Sequence, residues 1–293
     1  MNALTNRAVT VINLGRMGFM AAHDVQMRFA RRHLDEMADK PYTFGEDTLL
    51  LVEHPPVYTV GLRTKDYTAE DEAYLKSTGA EFYKTNRGGL ITFHGPGQLV
   101  AYPILNLQHF KPSVKWYVCQ LEQTMIKTLQ EFGLKGRTTD QTGVWVGNKK
   151  IGAIGLHASR YVTTHGISLN CNVDLHWFRH IVPCGLPGVE MTSLTKELGK
   201  DVSFQDSVQP FLKAFEETFK CGIELKMLEE DELKSISSPF ISNIDAGTTN
   251  KSHVRQADIG QRRNMSTTSS MPVNRVSTGK QNYILEERPI PMW

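Results

Sequence analysis

The sequence predicts an α+β fold, with mixed and antiparallel sheets and flanking helices. Three observations carry this reading. Short apolar runs of strand length recur between turn signals, and helix-period segments lie among them. One pair of runs, 144–146 and 150–156, is joined by a Gly147-Asn148 turn of hairpin type. No internal repeat is evident.

In chain order, 9–14 alternates as a strand. Residues 17–37 carry a helical period that stops before Lys40-Pro41. Strands follow at 48–53 and 57–60 around Pro55-Pro56, then a short helix at 70–77. Residues 80–84, 90–93 and 99–105 have strand character. Ser113 is a plausible N-cap for a helix that puts Val114, Tyr117, Leu121 and Met125 on one face, with Gly133 beyond its end. After the hairpin, 168–173 alternates with Leu169, Cys171 and Val173 on one face. A last helix is predicted over 207–219. Ser203 and Asp206 suggest a capping box, although Pro210 leaves the start open.

The 293 residues divide into two regimes, 1–228 with periodic apolar segments and a tail, 229–293. The tail is rich in Ser, Thr, Asn and Gln, so it buries too little apolar surface to offset its ordering entropy, and it is expected to be largely disordered. Its end, Tyr283-Ile284-Leu285 and Pro289 to Trp293, is more apolar. A net charge of +2 gives no global basic field that would argue for nucleic acid, and no apolar run has the length of a bilayer span. Cysteines at 119, 171, 184 and 221 form neither a CxxC pair nor a disulfide framework, which favours a reducing compartment. Arg7 and Arg16, with no acid before Asp24, are mildly like a mitochondrial presequence, although a strand pattern already begins there.

Two segments carry candidate chemistry. The first, "RGGLITFHGPGQ", places Arg87 and His94 around closely spaced glycines, which permit positive φ and close backbone approach of a ligand. It is neither a P-loop nor a dinucleotide fingerprint. The second, "HIVPCGLPG", sets Cys184 on a rigid, open turn rather than inside a helix or strand. A reactive thiol needs a neighbour that favours the thiolate or takes its proton. His165, His176, His180, Lys149 and Lys150 are the candidates. Lys150 opens the largely apolar strand "KIGAIG", an uncomfortable place for a charge, whereas Lys149 suits a turn reaching water. Cys119 and Cys171 are read as core positions. A zinc site from His165, Cys171, His180 and Cys184 matches no common ligand spacing, so no metal is expected.

Taken together, "RGGLITFHGPGQ", "KIGAIG", "THGISLNCNVDL" and "IVPCGLPGVEMTSL" resemble, in order and over roughly 8–225, the lipoyl(octanoyl) transferase family, and most of all its animal mitochondrial branch. The resemblance implies a fold like the catalytic core of biotin and lipoate protein ligases. It implies transfer of an octanoyl group from acyl carrier protein to a lysine of lipoyl domains, such as the glycine-cleavage H protein and dehydrogenase E2 subunits. That is the first step of endogenous lipoate synthesis. It also implies a cysteine thioester, no cofactor and no ATP, a mitochondrial location and a monomer. By the same resemblance Cys184 is the nucleophile, and Lys150 lowers its pKa and serves as acid/base. The acyl substrate would be lined by Arg87, Gly88, Gly89, Leu90, Ile91, Thr92, Phe93 and His94, by Ala153, Ile154 and Gly155, and by Gly166, Ile167 and Ser168. The acidic carrier would meet a basic patch, for which Arg28, Arg31, Arg32 and His33 are candidates. The rivals are an ATP-dependent lipoate–protein ligase, which needs no cysteine nucleophile, and a non-catalytic protein that grips acylated carriers.

Overall fold

The computed structural model describes residues 7–40, 45–63, 67–185 and 188–227, with the backbone alone at Cys184. Contacts divide the chain into Met1–Ser242 and Asn243–Trp293, and everything described lies in the first unit. The tail at 229–293 lies outside the described residues.

The order of elements is β1 (Ala8–Arg16), α1 (Phe19–Glu36), β2 (Thr48–Glu53), β3 (Val57–Val60), α2 (Ala69–Ser77), β4 (Glu81–Lys84), β5 (Thr92–His94) and β6 (Gln98–Ile104). Then come α3 (Val114–Glu131), β7 (Gly136–Arg137), β8 (Val144–Val146), β9 (Lys149–Ser159), β10 (Val162–Asn170), β11 (Glu190–Met191), α4 (Leu194–Leu198), α5 (Phe204–Phe219) and β12 (Gly222–Lys226). Short 3₁₀ segments include Leu175–His180 and Pro183–Gly185.

Among the described residues, nine strands form one sheet in the order β12-β1-β2-β6-β10-β9-β8-β7, with β11 alongside β9, and β4-β3-β5 form a second. β1 runs parallel to β2 and β12, and the ladder from β2 through β6, β10, β9 and β8 is antiparallel, so the sheet is mixed as predicted. Alternation sorts the strands onto two faces. Leu49, Leu51, Leu99, Ala101, Ile167 and Leu169 pack with Tyr117, Leu121 and Met125 of α3 and Phe211 and Phe215 of α5. Leu50, Val52, Val100 and Tyr102 pack with Val25, Phe29 and Ala30 of α1. The small sheet has its own core, where Phe93 stacks on Trp177 with centroids 5.1 Å apart. That contact holds the 3₁₀ turn Leu175–His180, and the chain leading to Cys184, against β5.

Several local expectations change. Val114 is exposed, because the buried stripe of α3 starts at Tyr117, one turn later. Cys119 is exposed as well. It lies two residues from both Tyr117 and Leu121, about 200° round the helix from each. Val173 joins the core of the small sheet rather than that of Leu169 and Cys171, because β10 ends at Asn170. α5 starts at Phe204 and runs through Pro210. Ser203 and Asp206 form a complete capping box that fixes its start. His33 faces inward from α1 and is fully buried, so it is no part of a basic surface, and Arg31 is paired with Asp35 at 2.8 Å.

Candidate active site

The glycine-rich segment is held by its own arginine. Arg87 is buried, and its Nη2 donates to the Thr59 carbonyl (2.6 Å) and Oγ1 (2.9 Å) on β3, while Nη1 donates to the Gly88 carbonyl (3.0 Å). The guanidinium therefore clamps the loop to the small sheet. Gly61 completes the clamp, since a Cβ there would collide with the carbonyls of Arg87, Gly88 and Gly89. The loop then crosses to the large sheet, where Gly88 N–H donates to the Leu156 carbonyl at 2.8 Å. A Cβ on Gly155 would sit 3.0 Å from Arg87 Cδ, so a side chain there would crowd the loop.

The register of β9 and β10 brings the remaining stretches in. Gly155 pairs with Gly166, Ile154 with Ile167 and Ala153 with Ser168. The three segments expected to line one substrate, 87–94, 153–155 and 166–168, are thus contiguous, joined by one loop-to-strand hydrogen bond and one antiparallel ladder. At Gly166 a Cβ would strike the Ala101 carbonyl, so β6 and β10 approach more closely than side chains allow elsewhere.

The Cys184 turn abuts this site. Gly185 has φ +69° and leaves no room for a Cβ against Leu90 Cδ1, and β5 packs on Pro183–Gly185. The Cys184 side chain and residues 186–187 lie outside the described residues. Six positions after Cys184 the chain enters β11, which pairs Glu190 with Lys149 and Met191 with Lys150.

Lys150 is only 2% exposed. Its Nζ donates to the Thr142 carbonyl (2.8 Å) and lies 5.5 Å from the Trp145 ring centroid. In this dry place the Lys150 Nζ meets a carbonyl dipole and an aromatic face. Gly143 makes the room, because with φ +122° a Cβ there would lie 2.7 Å from Lys150 Cε and 2.6 Å from the Gly152 carbonyl. Lys149 turns outward and pairs with Glu197 at 3.0 Å.

A histidine cluster lies beside Arg87. His94 Nδ1 is 2.7 Å from Gln98 Oε1, His54 bridges the Met17 carbonyl (2.7 Å) and the Tyr102 hydroxyl (2.8 Å), and His165 Nε2–H donates to Asn86 Oδ1 (2.8 Å). Burial pushes His54 down to about 4 and His94 and His165 to about 3, with His54 adding to the effect on His94 and His23 to that on His165. All three are neutral at physiological pH. His54 and Tyr102 were invisible as site neighbours in the sequence, since strand alternation assigns Tyr102 to a face but not to a partner, and His54 lies just past the end of β2. Of the thiol activators considered, His165 belongs to this cluster, whereas His180 meets Tyr74 on α2 at 2.8 Å and stacks edge-on with His176.

Residues 24–216 match the family model of the lipoyl protein ligase A/B catalytic domain. The octanoyl-acyl-carrier-protein:protein N-octanoyltransferase of Danio rerio, named mitochondrial, is 52% identical over 221 residues, covering 75% of this chain and 96% of that one. The human protein of the same name is 42% identical, covering 74% of this chain and 95% of its own length. The octanoyltransferase of Christiangramia forsetii is also 42% identical, over 75% of this chain and 99% of that one. Among solved structures, lipoate-protein ligase A bound with ATP superposes with TM-score 0.58 at 15% identity, covering 80% of this chain and 93% of that one, which establishes a shared fold. The chain belongs to the lipoyl protein ligase A/B catalytic family and, within it, to the octanoyltransferases, which are acyltransferases.

Proposed function

We propose that residues 1–228 move an octanoyl group from the phosphopantetheine arm of acyl carrier protein to a lysine of a lipoyl domain, through a thioester on Cys184. The observation that carries this reading is the convergence of 87–94, 153–155 and 166–168 beside the Cys184 turn and the strand of Lys150. In the first half-reaction the Cys184 thiolate attacks the octanoyl thioester, the bond to the arm's sulfur breaks, and the arm leaves as a thiol with a proton from Lys150. One thioester replaces another, so this exchange is nearly thermoneutral. In the second, the neutral amine of the acceptor lysine attacks, the sulfur leaves, and formation of an amide drives the transfer forward. Lys150 as a cation stabilises the thiolate, and as an amine it takes the proton of the incoming nucleophile. The strand of Lys150 is fixed by its pairing with β8 and β11, so that role costs no reorganisation. Neither half-reaction calls for ATP or a metal. The acyl carrier and lipoyl domains are the partners, and the mitochondrial names of the animal relatives support a mitochondrial site of action.

Mixing the protein with octanoyl-loaded carrier without ATP, followed by intact mass analysis, tests the reading. The expected product is a hydroxylamine-sensitive octanoyl adduct on Cys184 that a lipoyl domain discharges, and that Cys184→Ala abolishes. Transfer of free octanoate that depends on ATP, with no adduct, would replace the transferase by a ligase. No transfer under either condition would leave only carrier binding.

A further inference from the structure

A buried chain of side-chain hydrogen bonds joins the two walls of the site, through residues given no role above. Gln98 opens β6 and Asn170 closes β10, and the antiparallel register sets them directly opposite one another. Gln98 Nε2 donates to Asn170 Oδ1 at 2.9 Å and to the Phe93 carbonyl at 3.2 Å. Asn170 Nδ2 donates to the Thr192 carbonyl at 2.9 Å, and Thr192 N–H in turn donates to the Lys150 carbonyl at 2.9 Å. Gln98, Asn170 and Thr192 are 1%, 2% and 0% exposed, so water does not substitute for any link.

The direction of the chain is determined. Backbone carbonyls only accept, so the Thr192 carbonyl fixes the Asn170 amide with its nitrogen toward it and its oxygen toward Gln98. Gln98 must then present its nitrogen to Asn170 and its oxygen to His94, and the Phe93 carbonyl demands the same orientation independently. The group facing Gln98 Oε1 has to be a donor, so His94 Nδ1 carries the proton. His94 is neutral, and its only hydrogen-bond partner among the described residues is Gln98. Its Nε2 is therefore an acceptor. The titratable and charged groups around it are His54, with ring centroids 5.9 Å away, Arg87 and His165.

We infer that Gln98 and Asn170 are positioning residues. They hold His94 as the Nδ1–H tautomer, so that Nε2 accepts a hydrogen bond from an N–H of the bound substrates, and they keep the strand beside the Cys184 turn in register with the strand of Lys150. This rests on the transferase reading. Two N–H donors enter such a site, an amide of the pantetheine arm during loading and the amine of the acceptor lysine during discharge, and separate half-reactions tell them apart.

The tautomer is read first, in the full chain labelled with ¹⁵N-histidine, by long-range ¹H–¹⁵N correlation. The expected signature of His94 is a protonated Nδ1 and a bare Nε2, partly lost in Gln98→Leu. A protonated Nε2 in the parent chain overturns the inference, and the result stands whether or not the protein transfers octanoate. Single-turnover loading from the carrier and discharge to a lipoyl domain are then timed for Asn170→Leu. A loss of about tenfold in the rate constant of one half-reaction, with the carrier's apparent affinity unchanged, is expected from leaving one N–H of the buried Gln98 amide unpaired. Slowed loading identifies the arm amide as the donor, slowed discharge the amine, and unchanged rates in both overturn the inference. Gln98→Glu conserves volume and still accepts from Nδ1, but its second oxygen faces the Asn170 oxygen and the Phe93 carbonyl, so its fold is checked before its rates. Its carboxylate favours the imidazolium, so the pH profile of the affected step should gain an ionisation displaced upward. A profile identical to the parent's in a folded Gln98→Glu variant contradicts the role.

Discussion

The two faces of the large sheet are built from the same strands by different means. On one, Leu99 and Ala101 of β6 point beneath α3 and α5 into a core of aliphatic and aromatic side chains. On the other, Val100 and Tyr102 of β6 meet α1, and there the packing passes from Val25 and Phe29 into Tyr102, His54, His165 and His23. The first face is held by area removed from water, which is non-directional and tolerant of rearrangement. The second depends on donors meeting acceptors, and its groups are dry enough that their titration is displaced. The histidine cluster belongs to the second face. Perturbations should therefore separate into effects that depend on pH and effects that do not.

Acid should break the polar face with the largest effect. His54, His94 and His165 have native pKa values lowered to about 4, 3 and 3, chiefly by burial, whereas an unfolded histidine titrates at about 6.5. Above that value neither state binds these protons, and the histidines add no pH dependence. Between about 6.5 and about 4 the unfolded chain takes up protons that the native state refuses, so stability is lost as pH falls. Each histidine contributes up to about 1.4 kcal/mol per pH unit. Urea midpoints recorded from neutral pH downward should drop steeply through this window. A flat midpoint would mean that the cluster is wetter than its burial implies.

On the apolar face, Phe215→Ala should cost ~3–5 kcal/mol. Phe215 is fully buried and stacks on Phe219 with centroids 4.3 Å apart. The loss should be the same at neutral pH as at the acid end of the window, since no nearby group of that core changes its protonation. A pH-dependent loss would show that the two faces are coupled through the sheet rather than separable.

What the sequence disclosed follows the same division. β2 and β3 were legible to the residue, because Leu49-Leu50-Leu51-Val52 and the paired prolines after it leave little freedom. The motif segments were legible as candidates, but their convergence depends on the Gly155–Gly166 pairing, a long-range register that periodicity does not encode. Cys119 and His33 were misjudged for the same reason in opposite directions. A helical period fixes relative angle, so a small error in locating the buried stripe sends a thiol outward or a histidine inward. β12 was missed because it is a short strand, mostly exposed, whose only described strand partner, β1, lies at the other end of the sequence. The chain from His94 to Lys150 was beyond reach altogether, since its links join residues 4, 72, 22 and 42 positions apart.

The smallest effect offers the sharpest contrast, because one atom is removed from each face. Tyr102 donates its hydroxyl to His54 Nε2 at 2.8 Å, and His54 Nδ1–H is already committed to the Met17 carbonyl. Tyr102→Phe leaves a buried acceptor unpaired with the ring volume unchanged, and should cost ~1–3 kcal/mol. Tyr117, equally buried under α3, donates to the Pro103 carbonyl at 3.3 Å, but that carbonyl also receives the Thr163 hydroxyl at 2.8 Å. Tyr117→Phe therefore leaves no group stranded and should fall within the ~0.5 kcal/mol expected where no such mechanism operates. The two variants share chemistry, burial and volume, and differ only in whether a second donor remains. Thermal or urea unfolding of both at neutral pH decides the matter. Equal costs would mean that the polar face is held by packing like the other, and the hydrogen bonds around His54 would lose their claim to hold the site in place.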